Sequence, residues 1–146
     1  AELVRKISHD LYSGVLIEYG LVPALQRLEE LFKKAEDLEF DWHYSKIERR
    51  FESEIEINLY RIIQEAISNV LRHANASEIT IQLNDYGEEL HLMIEDNGKG
   101  FNTKKANEGI GIKNMRTRAE KNKGSFVVDS QTGHGTTITV QIPVKK

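Results

Sequence analysis

At 146 residues the chain has the size of one domain with one core. Its formal net charge of -3 supplies no basic field for nucleic acid, and the absence of cysteine excludes disulfide frameworks and Cys-ligated metal sites. No apolar run approaches the ~18 residues needed to span a bilayer, and the first residues lack the layout of a signal peptide, so the sequence reads as a soluble piece.

Residues 3–12 place Leu3, Val4, Ile7 and Leu11 on one helical face before Ser13-Gly14 interrupts it. After Gly20 a second helix is expected, with Pro23 in its first turn and Leu21, Leu25, Leu28 and Phe32 as its apolar face. Residues 38–44 alternate Leu38, Phe40 and Trp42 against Glu39, Asp41 and His43, which predicts a half-buried strand. A long helix over 53–74 follows, where Ser53 and Glu56 form a capping-box pattern. Residues 78–85 and 88–95 alternate around Asp85-Tyr86-Gly87 and predict a hairpin. A loop rich in Gly, Asn and Lys fills 96–109, a helix is expected from about 111 to 123, and strands at 125–130 and 136–142 flank Gln131-Thr132-Gly133-His134-Gly135. This order predicts an α/β (α+β) two-layer sandwich, with helices on one face of a mixed, mainly antiparallel sheet.

Within the helix at 53–74, the apolar side carries Leu59, Ile62, Ile63, Ala66, Ile67, Val70 and Ala74. Glu65, Asn69 and Arg72 fall together elsewhere, with His73 at their margin. By itself such a stripe reads as a solvated face. Its chemistry also suits a Mg²⁺-bound anion: Asn offers a neutral oxygen to a hard cation, Arg forks onto phosphate, and Glu can accept a proton or order a metal-bound water.

The loops that follow are individually unspecific. Asp96-Asn97-Gly98-Lys99-Gly100 could be a hairpin turn, yet residues 101–108 do not alternate as a returning strand would. It lacks the spaced acids of a calcium loop. Gly109-Ile110-Gly111-Ile112-Lys113-Asn114 opens a helix, where free N–H groups favour anions. A dinucleotide-binding reading finds Asp129 at a strand end about 20 residues on, but no strand precedes these glycines and Asn114 stands where the third should be. Gly133-His134-Gly135-Thr136 could simply turn one strand into the next. No Walker A sequence occurs.

In this order the segments resemble the GHKL superfamily of ATP-binding domains, which have the Bergerat fold, and within it the histidine kinases. Residues 65–74, from Glu65 through Asn69 to Ala74, look like the N box; Asp96-Asn97-Gly98-Lys99-Gly100-Phe101 the G1 box; Gly109-Ile110-Gly111-Ile112 the G2 box; and Gly133-His134-Gly135-Thr136-Thr137 the G3 box. Lys113-Asn114-Met115-Arg116-Thr117-Arg118-Ala119 and Gly20-Leu21-Val22-Pro23-Ala24-Leu25 are similar to the subclass that signals to NarL/LuxR-type response regulators. The resemblance runs from about Val4 to Pro143 and implies a linker over 1–19 and a catalytic domain over 20–146. Arg72 stands where Lys is usual, and Ser13-Gly14 where proline is common.

The resemblance implies ATP and Mg²⁺ as cofactors and assigns roles residue by residue. Asn69 would hold Mg²⁺, Arg72 would lie near the phosphates, and His73 near the ribose or phosphates. Glu65 would polarise a metal-bound water or assist proton removal. Asp96 would accept a hydrogen bond from the adenine amino group, with Thr136 behind it and Gly98 and Gly100 shaping the pocket. Gly109 and Gly111, with Ile112 in the same box, would present backbone to the phosphates, and residues 101–108 would form a short lid. The implied reaction moves the ATP γ-phosphoryl to a histidine on a separate dimerising helical domain, and then to a response regulator. This makes the chain the ATP-binding half of a protein histidine kinase, a cytoplasmic domain without nucleic-acid or direct membrane contact, whose parent could be anchored in a membrane.

Ser8-His9-Asp10 looks like an acceptor, but Gly14, Gly20 and Pro23 interrupt the chain too soon for a long helical hairpin, so the acceptor is expected outside this chain. Two other readings share these boxes: a serine kinase of the anti-sigma-factor type, and a catalytically silent scaffold.

Overall fold

The computed structural model describes residues 14–32, 38–45, 47–102 and 109–145. The expected helix at 3–12, His9 and the loop stretch 103–108 lie outside the described residues.

Helix α1 (Gly14–Tyr19) and helix α2 (Leu21–Phe32) meet at Gly20. Helix α2 buries Leu21, Ala24, Leu25, Leu28 and Phe32, the stripe its 3.6-residue period predicts. Strand β1 (Glu39–Ser45) leads to helix α3 (Ser53–Asn69), which continues as a π-helical turn, Val70–Ala74. Strands β2 (Glu78–Asp85) and β3 (Glu89–Asp96), helix α4 (Ile110–Lys121), and strands β4 (Ser125–Ser130) and β5 (Thr136–Pro143) complete the chain.

The strands form one five-stranded sheet in the order β1-β2-β3-β5-β4. Strands β1 and β2 are parallel and every other pair is antiparallel. A parallel pair cannot be joined by a tight turn, and α3 supplies the crossover between them. Alternation then sorts the side chains. Ile79, Ile81, Leu83, Leu90, Leu92, Ile94, Ile138, Val140 and Ile142 are buried in one cluster with Leu59, Ile62, Ile63, Ala66 and Ile67 of α3. Their neighbours Thr80, Gln82, Met93 and Thr139 lie on the opposite face and stay partly exposed. The expected two-layer sandwich is what the chain forms.

Arg49 fastens the end of the sheet remote from Asp96, and Arg50 joins two helices. Arg49 forks onto Asp85, with Nε and Nη2 at 2.8 and 3.0 Å from the carboxylate oxygens. It also donates to the carbonyls of Gly87 and Lys145 and stacks on the Phe51 ring. That fork holds the Asp85 carboxyl below the usual carboxylate range, aided by the Gly87 N–H. Arg50 pairs with Glu56, 2.9 Å from Nη2 to Oε1, and donates to the carbonyls of Leu16, Ile17 and Glu18, tying α1 to α3.

This pair corrects the capping-box expectation. The residue at the cap of α3 is Glu52, with no side-chain cap bond. Glu56 is only 2% exposed and turns to Arg50 and to the Phe51 N–H instead of closing a box with Ser53. A buried carboxylate is better compensated by a planar guanidinium than by a single amide N–H.

Candidate functional site

Asp96 ends β3, and the register sets it opposite Thr136, the first residue of β5. Two residues earlier on β3, Ile94 is buried against the helices, so the period of two turns the Asp96 side chain to the same face. Its Oδ1 accepts the Gly98 N–H at 2.8 Å, and the Thr136 backbone N–H also reaches the carboxyl. Burial is the largest influence on this group and pushes its pKa up, against those two hydrogen bonds, with neighbouring Glu95 adding to the rise.

The loop after β3 is fixed by backbone contacts with two other elements. Lys99 N–H donates to Ala74 O at 2.7 Å, at the end of the π-helical turn. Gly133 N–H donates to Lys99 O at 2.6 Å, from the turn between β4 and β5. Asn97 Oδ1 takes the N–H groups of Ser77 and Glu78, both at 2.9 Å. The segment is therefore no hairpin turn, because β3 is flanked by β2 and β5. The Gly133-His134-Gly135 segment serves two purposes, turning β4 into β5 and bracing the Asp96 loop. Gly135, with φ +78, sits where an added Cβ would lie 2.1 Å from Asp96 O. Only glycine allows that approach.

The opposite wall comes from α3 and α4. Glu65 and Asn69 lie one helical turn apart, and Gly111 packs against both. A Cβ at Gly111 would fall 2.3 Å from Glu65 Oε1, and 3.1 and 3.2 Å from the Asn69 amide nitrogen and oxygen. Gly109 caps α4 in extended conformation without a side-chain cap, so the N–H groups of the first turn have no partner within the helix.

Between these walls lies a cavity of about 590 Å³, within the range of small-molecule sites. Of the residues singled out by sequence, Glu65, Asn69, Arg72, His73, Asp96, Gly100, Gly109, Gly111, Ile112 and Thr136 line it. Gly98 does not. It is buried beside the loop and contributes its N–H to Asp96. Phe101 also lines the cavity, whereas Asp129, the acid of the dinucleotide reading, is exposed on the opposite face of β4.

Sequence reasoning gave no site role to the cation Lys99 or to the apolar lining, which includes Ala66, Val70, Ala74, Ile94, Ile110 and Ile138. A signal existed for two of them, because Ile94 and Ile138 stand two residues from Asp96 and Thr136 and must share their face. Among the described residues, no three His, Asp or Glu side chains cluster as a self-contained metal site.

Residues 54–146 match the family described as histidine kinase-, DNA gyrase B-, and HSP90-like ATPase. The chain belongs to this family. It is 33% identical over 142 residues to the signal transduction histidine-protein kinase/phosphatase DegS of Brevibacillus brevis, a match covering 97% of this chain and 37% of that protein. It is 46% identical over 93 residues to the sensor protein VraS of Staphylococcus aureus, covering 63% of this chain and 27% of that one. The chain thus spans 37% of the first relative's length and 27% of the second's. Among solved structures, the histidine kinase domain of a blue-light activated histidine kinase from Erythrobacter litoralis superposes with a TM-score of 0.73 at 18% identity, covering 98% of this chain and 74% of that one. The mycobacterial sensor histidine kinase MprB gives 0.61 at 18% identity, covering 82% and 91%. At such identities the likeness concerns the fold. This family fold is an ATP-binding one, and the cavity stands where its boxes converge.

Proposed function

We propose that this domain holds ATP for transfer of its γ-phosphoryl group to a histidine on a separate dimerising helical domain, for relay to a response regulator of the NarL/LuxR type. The observation that carries this reading is the convergence of Glu65, Asn69, Gly111, Asp96 and Thr136 on one cavity. Adenine lies at the Asp96–Thr136 end, where a half-buried carboxylate accepts from an exocyclic amino group. The triphosphate runs toward the open first turn of α4, whose N–H groups face an anion. Arg72 and Lys99, both exposed on the rim, neutralise phosphate charge, and His73 lies beside the ribose or phosphates.

The Asn69 amide oxygen is a hard donor that would hold a Mg²⁺ ion, and the Glu65 carboxylate lies beside it on the same wall. Bound there, Mg²⁺ would neutralise charge on the phosphate oxygens. Asn69 would then serve as its ligand, and Glu65 would take or orient a proton at the attacking side. The protein's part in phosphoryl transfer is mainly to position groups and place charge. We further propose that residues 20–146 form the catalytic domain, that 1–19 link it to the acceptor domain, and that it works in the cytoplasm.

With [γ-³²P]ATP the chain should bind nucleotide in a Mg²⁺-dependent manner and carry no label itself. Label should appear on a helical dimerisation domain supplied in trans. Radioactivity on this chain alone would overturn the assignment of the acceptor.

A further inference from the structure

Nothing in the site described so far uses Ser130, the last residue of β4, which is 6% exposed. The register puts it opposite Thr136, itself opposite Asp96, so the three form a cross-strand row at the sheet end beneath the cavity. The Ser130 hydroxyl has three neighbours. Phe101 N–H lies 2.9 Å away, Gly135 O 3.0 Å and Thr136 Oγ1 2.8 Å.

A hydroxyl has one proton to give and two lone pairs to offer. Gly135 O can only accept, so the Ser130 proton belongs there. Phe101 N–H can only donate, and it takes one lone pair of Ser130 Oγ. The second lone pair then faces Thr136, whose hydroxyl proton must point toward Ser130. The opposite arrangement would leave the Gly135 and Ser130 oxygens facing each other at 3.0 Å without a proton between them. Buried polar atoms rarely accept that cost.

We infer that Ser130 is a positioning residue that sets base selectivity by turning the Thr136 hydroxyl proton away from the pocket. Thr136 then offers only lone pairs to a ligand. Its neighbour Asp96, ionised, likewise offers only lone pairs. The row is therefore an acceptor-only edge. It welcomes an exocyclic amino group and rejects an oxo group at the same position, because two facing acceptors leave both unpaired. The ligand class is a 6-aminopurine nucleotide, discriminated against 6-oxopurines. This inference rests on the reading that the base lies at the Asp96–Thr136 end.

The test is binding of ATP and of inosine triphosphate to the whole chain, measured by calorimetry. The wild-type chain should prefer ATP. Ser130→Ala frees the Thr136 hydroxyl to turn its proton into the pocket, and the ATP-to-ITP preference should fall about tenfold. If Ser130→Ala does not fold, Ser130→Cys has nearly the same volume and a thiol that accepts only weakly, and the same relaxation is expected. In a Thr136→Val background, Ser130→Ala should leave the preference where Thr136→Val alone puts it. A folded Ser130 variant with wild-type preference overturns the inference, as does an equal loss of affinity for both nucleotides, or a further change in the Thr136→Val background. Failure of the wild-type chain to bind ATP would instead overturn the functional reading beneath it.

Discussion

Replacing Asp96 separates what the site costs the fold from what it gives the ligand. The carboxylate is partly buried, one oxygen takes the Gly98 N–H at 2.8 Å, and its pKa is raised chiefly by burial. A hydrogen bond from the adenine amino group to this charged acceptor is worth roughly 1.5–3 kcal/mol. Asp96→Ala should therefore weaken ATP binding by about ten- to a hundredfold. The sign for stability is opposite. A group whose folded pKa is raised favours the fold below its unfolded pKa, and that advantage is lost as pH rises through the folded value. At neutral pH the ionised Asp96 is a liability, so Asp96→Asn should raise Tm there, and the gain should vanish as pH falls below the ordinary carboxylate range. In the wild-type chain, ATP affinity should decline on acidification from a pH above that range, since the protonated carboxyl loses its acceptor character. Calorimetric titration and thermal melts across pH 3–8 provide both readings. Unchanged ATP affinity in Asp96→Ala would remove Asp96 from the base pocket, and a Tm that falls in Asp96→Asn at neutral pH would show that the ionised carboxylate is no liability to the fold.

Three further outcomes follow from packing and charge. Gly111→Ala should push the Glu65 carboxylate aside, since the new Cβ would meet Oε1 at 2.3 Å. Both side-chain ends can move, so Tm should change little while phosphotransfer in trans falls about a hundredfold, the scale set by misplacing a reacting group by roughly 1 Å. Gly135→Ala combines φ +78 with a Cβ 2.1 Å from the Asp96 carbonyl, and should cost at least ~2 kcal/mol, lowering Tm by about 4–8 °C in a differential scanning experiment. Asp85→Asn should lower Tm at neutral pH. Because its pKa is depressed mainly by Arg49, Asp85 stabilises the fold fully above the unfolded carboxylate range, and the deficit of the mutant should close as pH falls through the depressed value.

The sandwich was legible because its elements repeat a period. Ile79, Ile81 and Leu83 alternate on β2, and Leu59, Ile62, Ile63, Ala66 and Ile67 recur on α3, so burial follows from sequence alone. The cavity was legible for another reason: glycines and an acid mark places where backbone must pass close to something. The interactions that depend on long-range register were not legible. Ser53 and Glu56 are spaced equally well for a capping box and for no box at all, and only the fold brings Arg50 to claim Glu56. Ser130 looked like an ordinary strand end until β4 paired with β5.

The same distinction explains the end of α3. A uniform helix over 53–74 was expected, yet after Asn69 the hydrogen bonds widen to a π-helical turn. Nothing in Val70-Leu71-Arg72-His73-Ala74 announces this, since π-turns lack a sequence signature strong enough to compete with the α period. The turn ends at Ala74, whose carbonyl takes the Lys99 N–H, and at Asn75, which is left-handed with φ 51. Closing that bond brings the Asp96 loop against the helix that carries Glu65 and Asn69. A π-turn advances less along the axis per residue than an α-turn and winds by fewer degrees per residue, so Arg72 and His73 reach the cavity rim from positions that strict α geometry would have rotated further round. The polar stripe was thus correctly read as a group, while the geometry that aims its last two members comes from the loop contact at Ala74.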